Sequence, residues 1–126
     1  MDPTIEQALS RPQVIDMTTT GRRSGQPRRV EIVFHNHDGR IFISGMPDPA
    51  RTRAWIRNLE ADPHLTIHLK RGLNADVSAI ARIVTDPAER RAVFERIVAE
   101  AWRNQNVETM TAYSPLIEVS VDEAPH

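Results

Sequence analysis

The segment from Gly21 to Arg29 concentrates the side chains best suited to holding an anion. It carries four of the sixteen basic residues, namely Arg22, Arg23, Arg28 and Arg29. Guanidinium groups make forked contacts with phosphate and carboxylate groups. Gly21 and Gly25 permit a tight turn that exposes backbone N–H groups, and Ser24 adds a hydroxyl. The pattern predicts a phosphate-binding loop, and a solvated basic hairpin loop is the alternative.

Short strands separated by turn residues flank this loop and indicate a mostly antiparallel α+β fold. Residues 13–20 and 28–36 predict two strands around it, and Asp38-Gly39 predicts a hairpin to a third strand at 40–46. The remaining pattern predicts a helix from Asp48-Pro49 to about Ala61, strands at 64–70 and 75–85, a helix from Asp86-Pro87 to about Asn104, a polar loop at 105–114 and a strand at 116–122. Six strands and two helices favour a small barrel, with an open sheet covered by helices as the alternative.

Composition narrows the class of protein. A chain of 126 residues fits one domain, residues 1–126. The absence of cysteine excludes disulfides and cysteine nucleophiles. A net charge of −1 and an aromatic content of 5% argue against nucleic-acid binding. No long apolar run predicts a membrane span, and the first residues do not resemble a signal peptide, so we expect a cytoplasmic protein.

Two motifs resemble one known family. Residues 19–28 read TTGRRSGQPR, and residues 55–63 read WIRNLEADP, which is similar to the family pattern Trp-x-x-Asn-Leu-x-Ala-Asn-Pro. Their order and separation resemble those of the deazaflavin (F420)-dependent nitroreductase family. That family belongs to the flavin/deazaflavin oxidoreductases, whose fold is a split β-barrel of the FMN-binding type. The resemblance covers roughly residues 15–85.

The resemblance implies coenzyme F420 as cofactor, with FMN or haem as the alternative in the wider group. Members hold the anionic tail of the cofactor with the basic loop, and the strand after the hairpin borders its ring. One position departs from the family: Met46 stands where members often carry lysine. The residues expected to bind the cofactor are Arg22, Arg23, Ser24, Gly25, Gln26, Arg28, Ser44, Gly45, Met46, Trp55 and Asn58.

The activity implied is hydride transfer from the reduced deazaflavin to a small organic acceptor, such as a nitro compound, a quinone or an activated alkene. The alternative is a barrel that holds FMN or haem as a flavin reductase, carrier or sensor. Because such a cofactor supplies the redox chemistry, the protein needs no nucleophile of its own. The proton donor is either solvent or Tyr113, which is the candidate catalytic residue; a surface or core-edge tyrosine is the alternative.

Two further expectations concern partners. His64 and His68 share a strand at a spacing that separates them, and no carboxylate pair accompanies them or His35 and His37, so we expect no metal site. Split barrels of this type usually form homodimers. The expectation that an isolated barrel leaves sheet edges to cover also favours a homodimer.

Overall fold

The computed structural model describes residues 2–121, which form six strands and four helices. In chain order these are α1 (Pro3–Ala8), β1 (Gln13–Thr20), β2 (Pro27–His37), β3 (Arg40–Ser44), α2 (Ala54–Ala61), β4 (His64–Leu69), β5 (Ala75–Ile83), α3 (Pro87–Glu100), α4 (Val107–Tyr113) and β6 (Leu116–Val121). Within residues 2–121, no helix combines the length and apolar character that a membrane crossing needs.

All six strands pair antiparallel and close into a barrel in the order β1-β2-β3-β6-β5-β4. Pairing of β1 with β4 completes the closure, with Met17 opposite Ile67. The predicted α+β antiparallel barrel is therefore confirmed, and the open sheet is wrong. The barrel closes within one chain, so every described strand has a neighbour on both sides. Unpaired strand edges therefore give no reason to expect a homodimer.

The β2–β3 turn shows how local chemistry sets the register. Asp38 and Gly39 both have positive φ, at 56° and 88°, the pairing that a two-residue hairpin turn requires. The Asn36 side chain accepts a hydrogen bond from the Gly39 N–H at 2.9 Å. The register that follows places Phe34 opposite Ile43, and both point into the barrel.

Two short helices were missed and one helix start was wrong. Asp2 caps α1 through the Thr4 N–H, and Asn106 caps α4 inside the segment that was predicted to be a polar loop. The helix expected to start at Asp48-Pro49 starts at Ala54 instead. The Asp48 carboxylate accepts from the Ala50 N–H and pairs with Arg51 and Arg53, so it stabilises a turn rather than a helix.

The core has two parts. The larger fills the barrel and includes Ile15, Phe34, Ile67 and Leu59, so α2 packs against one end of the barrel. The smaller lies between the barrel and α3–α4 and centres on Phe94. Burying such side chains contributes roughly 1.5–3 kcal/mol each, which makes the barrel a firm support for the loops at its ends.

Candidate functional site

The loop between β1 and β2 has a conformation that favours glycine at two positions. Gly21 donates to the Gln26 carbonyl and accepts from the Gly25 N–H, both at 2.8 Å. A Cβ at Gly21 would stand 2.6 Å from the Ser24 Oγ, and Gly25 has φ +70°. Ser24 Oγ also accepts from the Gln26 N–H at 3.1 Å. The loop is therefore a compact, preformed turn.

Asn58 fastens this loop to α2. Its Oδ1 accepts from the backbone N–H of Arg22 at 3.1 Å and from the Arg22 guanidinium at 3.3 Å. Its Nδ2 donates to Thr19 Oγ1 at 3.1 Å. Asn58 is buried, so these bonds are shielded from water. The asparagine of the second motif thus positions the arginine loop of the first.

A cavity of about 400 Å³ lies between the loop, β2 and α2, and we call it the arginine cavity. Its charge is strongly positive, because within residues 2–121 no carboxylate lies within 4.0 Å of the guanidinium of Arg22, Arg23 or Arg28, whereas Arg29 pairs with Asp16 at 2.9 Å. The lining residues are Thr19, Gly21, Arg22, Arg23, Ser24, Arg28, Arg29, Val30, Ala54, Trp55 and Asn58.

This arrangement suits an anion. Guanidinium groups without carboxylate partners lose no internal ion pair when a phosphate or carboxylate binds. The start of α2 adds to the positive potential of the cavity. Its N-cap residue, Arg53, makes no side-chain capping hydrogen bond, and Ala54, the first residue of the helix, lines the cavity. Amides at an uncapped helix start favour negative charge. The residues present therefore fit the anionic tail of a cofactor.

The expected ring-side residues lie beyond the arginine cavity, along β2 and β3. Ser44 is buried and donates to the Pro115 carbonyl at 2.6 Å, so it holds the chain rather than facing an open site. Gly45 is also buried, and a Cβ there would stand 3.5 Å from Ile32 Cδ1 and 3.7 Å from an Arg53 guanidinium nitrogen. Met46 is 40% exposed.

Arg53 brings a cation next to the backbone of Met46. Its Nη2 donates to the Met46 carbonyl at 2.8 Å and its Nη1 lies 3.4 Å from the Asp48 carboxylate. Hydrogen bonds, first from the Ala50 N–H and then from Arg51, hold the pKa of the Asp48 carboxyl below its usual range. Sequence reasoning missed Arg53 because it precedes the second motif by two residues and belongs to neither motif.

Tyr113 lies in a different cavity, of about 550 Å³, which we call the tyrosine cavity. Tyr113 is 50% exposed, and its backbone carbonyl accepts from the Asp48 N–H at 3.2 Å. Apolar side chains line much of this cavity, including Ile56, Ile83 and Leu116. Arg53 also lines it, so the two cavities lie on either side of the start of α2.

Arg90 holds the wall that carries Tyr113. Its guanidinium donates to carbonyls of Thr111 at 2.9 Å, Ser114 at 2.6 Å and Val84 at 3.0 Å. Burial lowers the pKa of Arg90, and no carboxylate within the described residues pairs with its guanidinium to oppose this effect. Arg90 on α3 therefore holds the last turn of α4 in place. No motif in the sequence predicted this contact.

The structure brings together some predicted site residues and separates others. Six of the expected cofactor residues line the arginine cavity, namely Arg22, Arg23, Ser24, Arg28, Trp55 and Asn58. Gly25 and Gln26 shape the loop without lining that cavity, and Gly25 faces the opposite side of the hairpin. Trp55 is 5% exposed, so it serves the core as well as the cavity wall.

A closed antiparallel barrel with a cationic cleft at one end defines the class: a split-barrel protein that binds an anionic cofactor. The model of the F420H(2)-dependent quinone reductase family matches residues 2–124. The chain belongs to this family, so it is an F420-dependent oxidoreductase and its cofactor is coenzyme F420. The resemblance found in the sequence is thereby confirmed.

Solved structures share the fold at low identity. An F420 reductase is 19% identical with a TM-score of 0.67, and the match covers 94% of this chain and 93% of that one. A protein described as a domain-swapped dimer is 20% identical with a TM-score of 0.61, covering 93% and 91%. HutZ, the haem storage protein from Vibrio cholerae, is 15% identical with a TM-score of 0.67, covering 98% and 91%. These similarities concern the fold alone.

Proposed function

We propose that the arginine cavity binds the anionic tail of F420 and that the ring lies along β2 toward Gly45. The observation that carries this proposal is the set of three guanidinium groups, on Arg22, Arg23 and Arg28, that lack carboxylate partners among residues 2–121. Val30 lines the cavity and Ile32 lies next to Gly45. Because residues two apart share a face of a strand, one face of β2 runs from the arginine cavity to Gly45. The preformed loop means that little ordering entropy opposes binding.

The bound deazaflavin supplies hydride chemistry, and the protein binds, orients and shields it. We propose that the acceptor occupies the tyrosine cavity, and that it is a quinone, a nitro compound or an activated alkene. The family description supports the quinone. Tyr113 is our candidate proton donor, because its exposed phenol lines that cavity. Ile56, Ile83 and Leu116 provide an apolar surface against which a small organic acceptor can pack.

A titration of F420 fluorescence tests the tail site. The double variant Arg23→Ala/Arg28→Ala should raise the Kd for F420 at least about tenfold, because two charge-assisted contacts are lost. The loss should be larger at low salt, since screening already weakens these contacts at high salt. The control is Arg11→Ala/Arg71→Ala, which removes the same charge from exposed positions outside the cavity. An unchanged Kd in the first variant would show that the loop is ordinary surface.

Titrations with FMN and haem distinguish the F420-dependent enzyme from a barrel that holds FMN or haem. The family match favours F420, and we expect its binding to be tighter than that of FMN or haem. Tighter binding of FMN would instead favour a flavin reductase or carrier. Reduction of a quinone, a nitroarene and an enone by reduced F420 should then be compared under one set of conditions, and the highest kcat/KM identifies the acceptor class.

We also propose a homodimer. Met46 and Tyr113 are large apolar side chains left 40% and 50% exposed near the tyrosine cavity, and a partner would cover them. The description of one structural neighbour as a domain-swapped dimer supports pairing in this fold. Light scattering that gives the mass of a monomer would refute the proposal.

A further inference from the structure

The outer face of the barrel carries a hydroxyl, an imidazole and a carboxylate in series. Thr18 Oγ1 on β1 lies 2.6 Å from His68 Nε2 on β4. His68 Nδ1 lies 2.7 Å from Asp76 Oδ1 on β5. Strand pairing explains the series, since His68 stands directly across from Asp76 and diagonally from Thr18. Three adjacent strands thus hold three side chains in line.

The partners decide which ring nitrogen carries the proton. A carboxylate only accepts hydrogen bonds, so Nδ1 of His68 donates to Asp76. In the neutral ring, Nε2 is then free to accept the hydroxyl proton of Thr18. The His68 side chain is 12% exposed, which limits its rotation and keeps it on Thr18. This is the arrangement in which a base activates a hydroxyl and a third group orients the base.

The hydroxyl opens onto a further surface cavity, which adjoins the arginine cavity, since Thr19 lines both and Gly25 belongs to the same hairpin. Thr18 lines a cavity of about 360 Å³ together with Thr66 and Ser78. The register places Thr66 directly opposite Thr18, and Ser78 directly opposite Thr66. Thr66 therefore places a second hydroxyl next to Thr18, where it can donate to an oxyanion, and Ser78 lies one strand further away. The neighbouring Thr19 faces the opposite side, toward Asn58.

We propose that Thr18, His68 and Asp76 form a second active site that hydrolyses small, activated carboxylic esters without using F420. Thr18 Oγ1 bonds to the ester carbonyl carbon while its proton passes to His68 Nε2. The bond from that carbon to the leaving alcohol then breaks, and the proton passes from His68 to the alcohol. Water repeats the sequence on the acyl-threonine and releases the acid. Because a secondary hydroxyl is crowded, a good leaving group such as a nitrophenolate is required.

Hydrolysis of p-nitrophenyl acetate by the full chain, with and without added F420, tests the proposal. Thr18→Val, which has the same shape without the hydroxyl, should lower the rate at least about tenfold. Thr18→Ser should retain it. Asp76→Asn should lower the rate more than Asp76→Glu does, because glutamate keeps the carboxylate that accepts from His68 Nδ1. The control is Thr4→Val, an exposed threonine on α1, which should hydrolyse the ester like the wild type.

A covalent label gives a readout that is independent of rate. A fluorophosphonate should bond through phosphorus to Thr18 Oγ1 with loss of fluoride, and peptide mass spectrometry should locate the adduct. Thr18→Val should not be labelled there, and its thermal unfolding should show that it is folded. Equal hydrolysis by the wild type and Thr18→Val, or a label on another residue, would overturn the proposal. Neither outcome bears on F420 binding, which is measured separately.

Discussion

At the scale of single residues, Asn58 is the side chain on which the arginine cavity most depends. It is buried, and it makes three hydrogen bonds that join α2 to Thr19 and to Arg22. Replacing Asn58 by alanine leaves the Arg22 N–H and the Thr19 hydroxyl without that partner. We expect the free energy of unfolding to fall by roughly 1–3 kcal/mol and the Kd for F420 to rise.

Urea unfolding and F420 fluorescence measure the two effects of Asn58→Ala. The control is Asn104→Ala, since Asn104 is exposed and follows α3. This variant should stay within about 0.5 kcal/mol of the wild type. If Asn58→Ala binds F420 as tightly as the wild type, the amide supports the fold without setting the loop.

The residues that line the arginine cavity could be predicted where they belong to a motif. Arg22 and Asn58 were both found from the sequence, although their contact spans 36 positions and no pattern revealed it. Arg53 was not found, because its importance comes from the place where α2 begins, next to Met46 and Gly45. Local spacing identifies residue types, whereas a contact between elements depends on packing.

At the scale of elements, capping chemistry separates correct helix starts from the wrong one. Asp86-Pro87 starts α3, and Glu89 lies in its first turn, where negative charge is favourable. Asp48-Pro49 looked equivalent but is followed by Arg51 and Arg53. Arg51 stands three residues after Asp48, where α3 has Glu89 three residues after Asp86, so the favourable acidic residue of that first turn is replaced by a cation and α2 starts only at Ala54. The sign of the charges after the cap was the signal that the sequence prediction overlooked.

The contact between α3 and α4 leads to a prediction at this scale. Arg90 on α3 donates to carbonyls at the end of α4. Arg90→Met keeps most of the apolar stem but leaves these carbonyls without a donor. We expect the free energy of unfolding to fall by roughly 2–3 kcal/mol, and KM for the acceptor to rise because the wall carrying Tyr113 loosens.

Arg91→Met is the matched control, because Arg91 is the next residue on α3 and forms an exposed ion pair with Glu95. An exposed pair of this kind contributes less than about 1 kcal/mol. Urea unfolding and steady-state kinetics should therefore change little in Arg91→Met. Similar behaviour of the two variants would mean that α4 is held by its apolar contacts alone.

At the scale of the whole molecule, the position of each strand could be predicted and a barrel was favoured, but no pattern in the sequence showed which strands pair to close it. Alternating patterns and hairpin signals predicted each strand to within a few residues. Closure depends on β1 meeting β4, across some fifty positions of chain, as in the pair Met17 and Ile67. Both residues are apolar and buried, which an open sheet covered by helices would equally require. Periodicity gives the buried face of a strand, and not its neighbour.

The same packing buries an imidazole that links stability to pH. His35 on β2 lies under Trp102, with ring centroids 4.9 Å apart, and its Nε2 has no hydrogen-bond partner among residues 2–121. Burial, and then the charge of nearby His37, lower the pKa of His35 to about 4. The charge of Glu100, whose carboxylate lies 3.3 Å from His37 Nε2, opposes this lowering of the His35 pKa but is the smallest of the three effects.

The sign of the pH dependence follows from the depressed pKa. The unfolded chain takes up a proton on His35 near its ordinary pKa of 6.5, whereas the folded protein does so only near 4. Between these values the unfolded state binds more protons, so the free energy of unfolding falls as pH decreases. The total loss from this group is about 3 kcal/mol, and it is complete near pH 4.

Urea unfolding at pH values from 7 to 4.5 tests this prediction. His35→Phe and His35→Gln replace the titrating imidazole by an apolar and by a polar side chain. In both variants the free energy of unfolding should fall less steeply between pH 7 and 4.5. Glu118 does not interfere, because hydrogen bonds from Arg40 hold its pKa at about 2 and its contribution is lost only in stronger acid. His37, whose pKa burial also lowers, leaves a smaller slope of the same sign. An undiminished slope in both variants would show that protonation of His35 does not limit the stability of the barrel in acid.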